Sequence, residues 1–400
     1  MPQEAIRQVF LHGIKGCDVA VIEGAMGLFD GASAVSDKGS CAHIAKILDV
    51  PVLLVVDSRS MGRSVAAMVK GYMDFDKDVK IQGIVANKVG SKKHKKIILE
   101  ALGGLGPFFV ATISRNEDAT ISSRHLGLLT AMELGKDTGF LKALGDMVES
   151  QMDLDALLGL KADLSHLNNE KEASSKASSY CEKDKVRIAV AMDRAFCFYY
   201  QRNLDILEGL GASLSFFSPT DGEPIPDGAG GIYLGGGYPE LYARALWKNA
   251  HLRHQIKTLA HKGMPILAEC GGFMFLGKGL KDKKGFHEWC GLFDVPFAME
   301  KRFQALGYRK VQTCAKTLLG PSNIAFRGHE FRYSRPETKR PFECEHLKAL
   351  DAYGNEVKVP CFVYKNVFAS YIHIHFDSLP GVAESFLKRC REFLKGDIKG

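Results

Sequence analysis

Two alternating patterns constrain the fold more than anything else in this chain. Continuous runs of aliphatic and β-branched residues at 18–24, 51–57, 81–87 and 108–113 are separated by longer stretches of helical spacing, such as 39–48 and 64–75. A strand that is apolar on both faces must be covered on both, and a helix between consecutive strands supplies the cover and makes the strands parallel. The alternation restarts at 187–192, 213–217, 231–235 and 265–269, with a helical pattern at 203–210. Between the two series, 164–185 holds Asn168, Asn169, Glu170, Lys171, Glu172 and serines, with too little apolar surface to fold alone. The expected fold class is therefore α/β: two doubly wound, mostly parallel sheet domains over 1–163 and 187–400, joined by a linker over 164–186. No 20–50-residue repeat links the halves.

Composition narrows the setting. The longest apolar run, 50–56, is interrupted by Pro51 and closed by Asp57, far short of the roughly 18 residues of a membrane span. Residues 1–7, with Glu4 among them, lack the basic and apolar regions of a signal peptide, so a cytoplasmic location is expected. Ten cysteines spread from Cys17 to Cys390 contain no C-x-x-C pair, which predicts reduced thiols and no structural zinc. The net charge is +7, from 53 basic and 46 acidic residues. Its densest basic run, Lys92, Lys93, His94, Lys95 and Lys96, reads as a solvated helix start, with an anion or nucleic-acid patch as the alternative.

One position carries nucleophile chemistry. Cys270 follows the apolar run ending at Glu269 and precedes Gly271-Gly272 and the helical run 273–276. Strand, nucleophile, small neighbour and helix is the order of an elbow that lifts a side chain above a sheet, and the helix start favours a thiolate. A buried, inert cysteine is the competing reading. A base would come from another strand end, and Ala369-Ser-Tyr-Ile-His373-Ile-His375-Phe376 places two histidines on one face of a period-2 strand. Gly235-Gly236-Gly237 after another strand offers backbone N–H groups, with those of Gly236 and Gly271 suited to an oxyanion hole.

These segments, with Leu234-Gly-Gly-Gly-Tyr-Pro-Glu-Leu-Tyr-Ala243 and Ala268-Glu-Cys-Gly-Gly272, resemble the class I glutamine amidotransferase domain of the cobyrinic acid a,c-diamide synthases. The resemblance implies that Cys270 attacks glutamine and that His373 is its base. Amidotransferases usually carry a glutamate two residues after that histidine; His375 stands there, a candidate third member of the catalytic set. Arg327-Gly-His-Glu-Phe-Arg332 resembles a segment near the family's cleft and marks His329 and Glu330 as candidate substrate contacts. Ala195-Phe-Cys-Phe-Tyr-Tyr200 reads as a core cluster or an aromatic wall.

In the first half, Val19-Ala-Val-Ile-Glu23-Gly-Ala-Met-Gly-Leu-Phe-Asp30-Gly31 sets a carboxylate at a strand end and another in a glycine loop. That edge of an open α/β sheet binds ligands, although acids there also cap helices. The segment resembles the family's ATP-dependent synthetase domain, as do Val55-Val56-Asp57, Arg63-Ser-Val-Ala-Ala67, Gly83-Ile-Val-Ala-Asn87-Lys-Val-Gly90 and Arg124-His-Leu-Gly-Leu128. It implies that ATP and Mg²⁺ are cofactors, with Glu23 on Mg²⁺, Asp30 at the carboxylates of cobyrinic acid, Asn87 at the adenine and Asp57 beside the nucleotide. The family opens on a phosphate loop, G-x-x-x-x-G-K-[ST], and these 400 residues contain none; Gly272 to Gly279 comes nearest but lacks the Ser or Thr. The expectation is a chain whose N-terminal segment is missing, with loss of the nucleotide site as the alternative. The implied partners are glutamine and cobyrinic acid, with nickel-sirohydrochlorin as the rival ring and a glutaminase-only or non-catalytic chain as the rival of another class. Neither nucleic acid nor membrane is implied, and a homodimer is compatible.

Overall fold

A computed structural model describes the chain apart from residues 107–108, 121–122, 125–126, 129–137, 165–166, 168–184, 339–343, 380 and 398–400. It divides into one compact unit of Ile6–Lys171 and another of Glu172–Gly400 that also takes Met1–Ala5. Most of the expected linker lies outside the described residues.

The first unit is built on three parallel strands, β1 (Val52–Asp57), β2 (Ile81–Val89) and β3 (Phe109–Ser114), in that order. Crossover helices α1 (Ser64–Phe75) and α2 (Lys92–Gly103) join them. The serine before α2, Ser91, accepts the His94 N–H and satisfies one of the helix's orphan donors. Lysines 92, 93, 95 and 96 are exposed on its first turns, as a solvated helix start requires. Val65, Val69, Ile84, Ile98 and Leu102 form the core of this unit.

The run 18–24 is not a strand. Val19 and Val21 are 59% and 90% exposed, and no described strand pairs with them. Strand propensity is a preference for a pleated, half-buried surface; without a neighbouring ladder the same aliphatic residues remain coil.

The second unit holds the larger sheet. Its strands are β4 (Val186–Ala191), β5 (Ala212–Phe217), β6 (Ala229–Leu234), β7 (Ile266–Glu269), β12 (Cys361–Tyr364) and β13 (Val367–Ser370), in spatial order β12-β13-β7-β6-β4-β5. All neighbours are parallel except β12 and β13. Helices α4 (Ala250–His261) and α5 (Gly271–Leu276) pack on one face through Leu252, Ile256, Phe273 and Phe275. Helices α3 (Gln201–Gly209) and α6 (Val382–Leu394) cover the other through Leu204, Leu207, Phe386 and Leu387, each buried large side chain stabilising by about 1.5–3 kcal/mol. A second, antiparallel sheet joins that face in the order β11-β10-β8-β9-β14: Glu356–Val357, Leu347–Leu350, Ala305–Thr313, Ala325–Arg332 and His373–Ile374.

The fold brings Cys344 and Cys361, 17 residues apart in sequence, to a Cα separation of 5.2 Å. Among the described residues no helix is long and apolar enough to cross a membrane.

Candidate active site

β7 ends at Glu269 and α5 begins at Gly271, leaving Cys270 to make the turn at φ +50°, ψ −102°. A non-glycine residue there stores on the order of 1–3 kcal/mol and persists only where its surroundings fix it. Cys270 N–H donates to Ser370 O at 2.8 Å, Gly272 N–H to Gly235 O at 3.0 Å, and Met274 N–H to Cys270 O at 3.1 Å. A Cβ on Gly272 would overlap the Leu234 backbone, so this tight approach requires glycine.

Burial pushes the Cys270 thiol up to about 12, with Glu240 and Glu330 adding to the rise and Arg332 and the Gly271 N–H opposing it. The helix start was expected to favour a thiolate; here desolvation outweighs a helix of six residues, and the resting group is a thiol.

His373 reaches the same edge by a different route. β13 ends at Ser370, Tyr371 and Ile372 are fully buried, and His373-Ile374 then pairs with β9 in the antiparallel sheet. Burial and the adjacent His329 lower the His373 imidazole to about 3, so it is neutral and able to accept a proton. Its Nδ1 is sealed from solvent and has no hydrogen-bond partner among the described residues. The edge of Phe198 meets the ring at 4.9 Å, and a Cβ on Gly236 would overlap it.

His375 does not continue that strand. The backbone enters a 3-10 turn at 376–378, so the period-2 pattern stops one residue earlier than the sequence suggests. Its ring lies 4.8 Å from that of Tyr200, and its Nδ1 is 3.9 Å from Asp377 Oδ2, a carboxylate held by Arg202 at 3.0 Å.

Gly236 is engaged. Its N–H donates to Phe198 O at 3.2 Å and its carbonyl accepts from Phe198 N–H at 3.0 Å, so it has no donor left for an oxyanion. Gly237 N lies 3.4 Å from where a Gly271 Cβ would stand, and the Gly271 N–H faces the thiol. The sequence could not distinguish the three glycines, because the choice follows from a backbone bridge to Phe198.

His329 and Glu330 part ways on β9. His329 lies directly opposite His373. Glu330 is 1% exposed, with one oxygen on Arg309 at 3.0 Å and the other on Arg332 at 2.7 Å, so it centres a buried ion pair rather than presenting itself to a substrate. The aromatic segment also divides, with Phe196 in the core and Phe198 and Tyr200 at the histidines.

Sequence reasoning missed Glu269. Its Oε1 accepts the Ile374 N–H at 2.9 Å and its Oε2 the Tyr233 hydroxyl at 3.0 Å, and burial raises its carboxyl to about 7. One side chain thus ties the residue before the cysteine to the residue after the histidine. The available signal was an acid closing a fully apolar strand, a position where charged residues are rare unless partnered.

In the first unit, Asp57 and Asn87 are register partners at the carboxyl ends of β1 and β2. Lys88 at 2.9 Å and the Arg59 N–H at 3.0 Å hold Asp57 below the usual carboxylate range. Asn87 Oδ1 accepts the Lys88 N–H. Glu23 and Asp30 are exposed. Among the described residues no three acidic, His or Cys groups cluster as a metal cage. Magnesium needs only one or two carboxylates besides phosphates and water, so single exposed carboxylates fit its chemistry. Of the 124–128 segment, His125 and Leu126 lie outside the described residues.

The profile of a CobB/CobQ-like glutamine amidotransferase domain matches residues 187–380. A protein of Caldanaerobacter subterraneus subsp. tengcongensis named cobyrinate a,c-diamide synthase is 37% identical over 394 residues, covering 98% of this chain and 85% of its own length. The chain belongs to the cobyrinate a,c-diamide synthase family. Members from Syntrophotalea carbinolica and Priestia megaterium share 38% and 35% identity, over 96% and 98% of this chain and 84% of each relative. Among solved structures, PurLQS from Thermotoga maritima matches 54% of this chain and 100% of its own at a TM-score of 0.34 and 15% identity. The matched domain spans the elbow, the glycine loop and the histidine strand.

Proposed function

We propose that this chain converts the a and c acetate carboxylates of cobyrinic acid to amides, using glutamine as nitrogen donor and ATP as energy source. The observation that carries this reading is 37% identity across 98% of the chain to a protein named for that product. A thiol at a strained elbow, on a sheet edge that also carries a neutral buried histidine, supports the glutamine half.

Cys270 Sγ attacks the carboxamide carbon of glutamine while its proton passes to His373, and the Gly237 and Gly271 N–H groups take up the charge on the carbonyl oxygen. The imidazolium returns the proton to the departing nitrogen, ammonia leaves, and a thioester remains. His373 then deprotonates water, which releases glutamate and restores the thiol. The ammonia is consumed in making the new amide. A free carboxylate is a poor electrophile at neutral pH, and the phosphoryl group of ATP, neutralised by Mg²⁺, is what makes it reactive. Glu23 would hold the metal, Asn87 and Asp57 the nucleotide, and Asp30 would lie at the substrate's carboxylates. We place the reaction in the cytoplasm, which the seven free thiols among the described residues support. A homodimer is compatible and is checked by sedimentation.

The test incubates the full chain with glutamine, ATP, Mg²⁺ and cobyrinic acid, and measures glutamate, ADP and product mass. Diamide with matching glutamate and ADP is expected. Glutamate without ADP or amide overturns the ligase reading, and absence of glutamate overturns the assignment of Cys270.

A further inference from the structure

A hydrogen-bonded triad fixes its histidine through the second ring nitrogen, yet His373 Nδ1 has no such partner here. What touches the ring instead is another imidazole. His329 and His373 are opposed in the antiparallel register, with rings nearly parallel at 7° and centroids 4.6 Å apart. The approach is built in: a Cβ on Gly328 would strike Ile372 and the His373 carbonyl. On its far side, His329 Nδ1 lies 2.8 Å from the Tyr200 hydroxyl, and Tyr200 is packed in turn on His375. Phe198 closes the stack edge-on to both imidazoles.

We infer that His329 is the positioning residue of the glutaminase, holding the plane of His373 by ring stacking where related chemistry uses a hydrogen-bonded carboxylate, and that Tyr200 locks His329 in place. The inference rests on His373 being the base.

The chemistry is consistent. Burial keeps the Tyr200 hydroxyl protonated well above its ordinary range, and no other acceptor takes its proton among the described residues, so it donates to Nδ1 and His329 carries its proton on Nε2. Burial also lowers His329 to about 4, so a neutral ring lies on a neutral ring. The stack keeps His373 dry and in its neutral form, and two imidazoles in contact do not both hold a charge at once. Of the titratable groups around His373, His329 from β9 stacks on its ring; Tyr200 from the loop before α3 touches His329 and His375, and Glu269 from β7 accepts the Ile374 N–H and the Tyr233 hydroxyl.

The experiment compares the full-length wild type with His329→Ala, His329→Phe and Tyr200→Phe, by nitrogen-15 histidine NMR across pH and by glutamine hydrolysis. The NMR arm needs no turnover. In the wild type His329 is expected as the Nε2–H tautomer, and neither ring should titrate near the ordinary histidine value of about 6.5. His329→Ala should move His373 up towards that value, carry the acidic limb of kcat/KM with it, and lower kcat about 10- to 100-fold with KM for glutamine unchanged. His329→Phe, which keeps a flat ring in the stack, should recover most of kcat, and Tyr200→Phe should lose His329's single tautomer. An alanine variant that melts like the wild type but leaves His373 titration and kcat unmoved overturns the inference, as does equal loss in Ala and Phe variants with a fixed limb. A wild type that shows the expected NMR but hydrolyses no glutamine overturns the functional reading and leaves the stack established.

Discussion

The two sheet edges that carry the candidate residues are built in opposite ways. In the second unit the cysteine, His373 and Glu269 are buried, His329 and His375 are half-buried beside them, and backbone hydrogen bonds cross-tie the edge. In the first, Glu23, Asp30 and Asp57 are exposed, and Asp57 spends its charge on Lys88 and Arg59. One edge is sealed and cross-tied; the other keeps its acids solvated. The proposed roles match this difference: proton transfer to a dry imidazole needs positions fixed within a fraction of an ångström, whereas a phosphate site is completed by its ligand.

The largest test of that contrast is Cys270→Ala. Glutamine hydrolysis should fall at least ~10³-fold, while amidation driven by added ammonia continues at the wild-type rate, because only the buried edge is broken. Loss of both activities to the same extent would join what the comparison separates. Next is Asp57→Ala: ATP-dependent amidation should drop on the order of 10-fold, with glutaminase within twofold of wild type. A parallel fall in glutaminase would mean that the exposed edge also shapes the buried one.

The smallest effect tests how dry the buried edge is. Folded Glu269 titrates at about 7 against 4.5 for the free group. Protonation therefore favours the folded state, and this contribution is complete below pH 4.5 and is lost as pH rises through 7. Glu269→Gln keeps an acceptor for the Ile374 N–H and should remove on the order of 2–3 kcal/mol of the stability lost between pH 5 and 8. Melting curves at the two ends of that range decide it; an unchanged slope would mean the carboxyl is not sealed.

The sequence was legible wherever pattern and environment agree. The runs at 51–57, 81–87, 187–192 and 265–269 are strands within a residue or two, and Cys270 does stand between a strand and a helix. It misled where a neighbour decides the outcome. Residues 18–24 have strand composition but no ladder; His375 has the period of a strand that has already ended; Gly236 has the freedom of glycine but a bond to Phe198. The His329–His373 stack was beyond reach, because 44 residues separate partners that only the antiparallel register brings together.

The passage from β13 through Tyr371 and Ile372 into β14 has a consequence for how the molecule comes into being. The edge depends on bonds that span 105 residues, from Glu269 to Ile374, and 171, from Asn203 to the Ile374 carbonyl. Contacts of such long range form late, after the loop-closure entropy of both sheets has been met. A nascent chain therefore lacks the cross-ties of this edge until residues 373 and 374 have been made and docked.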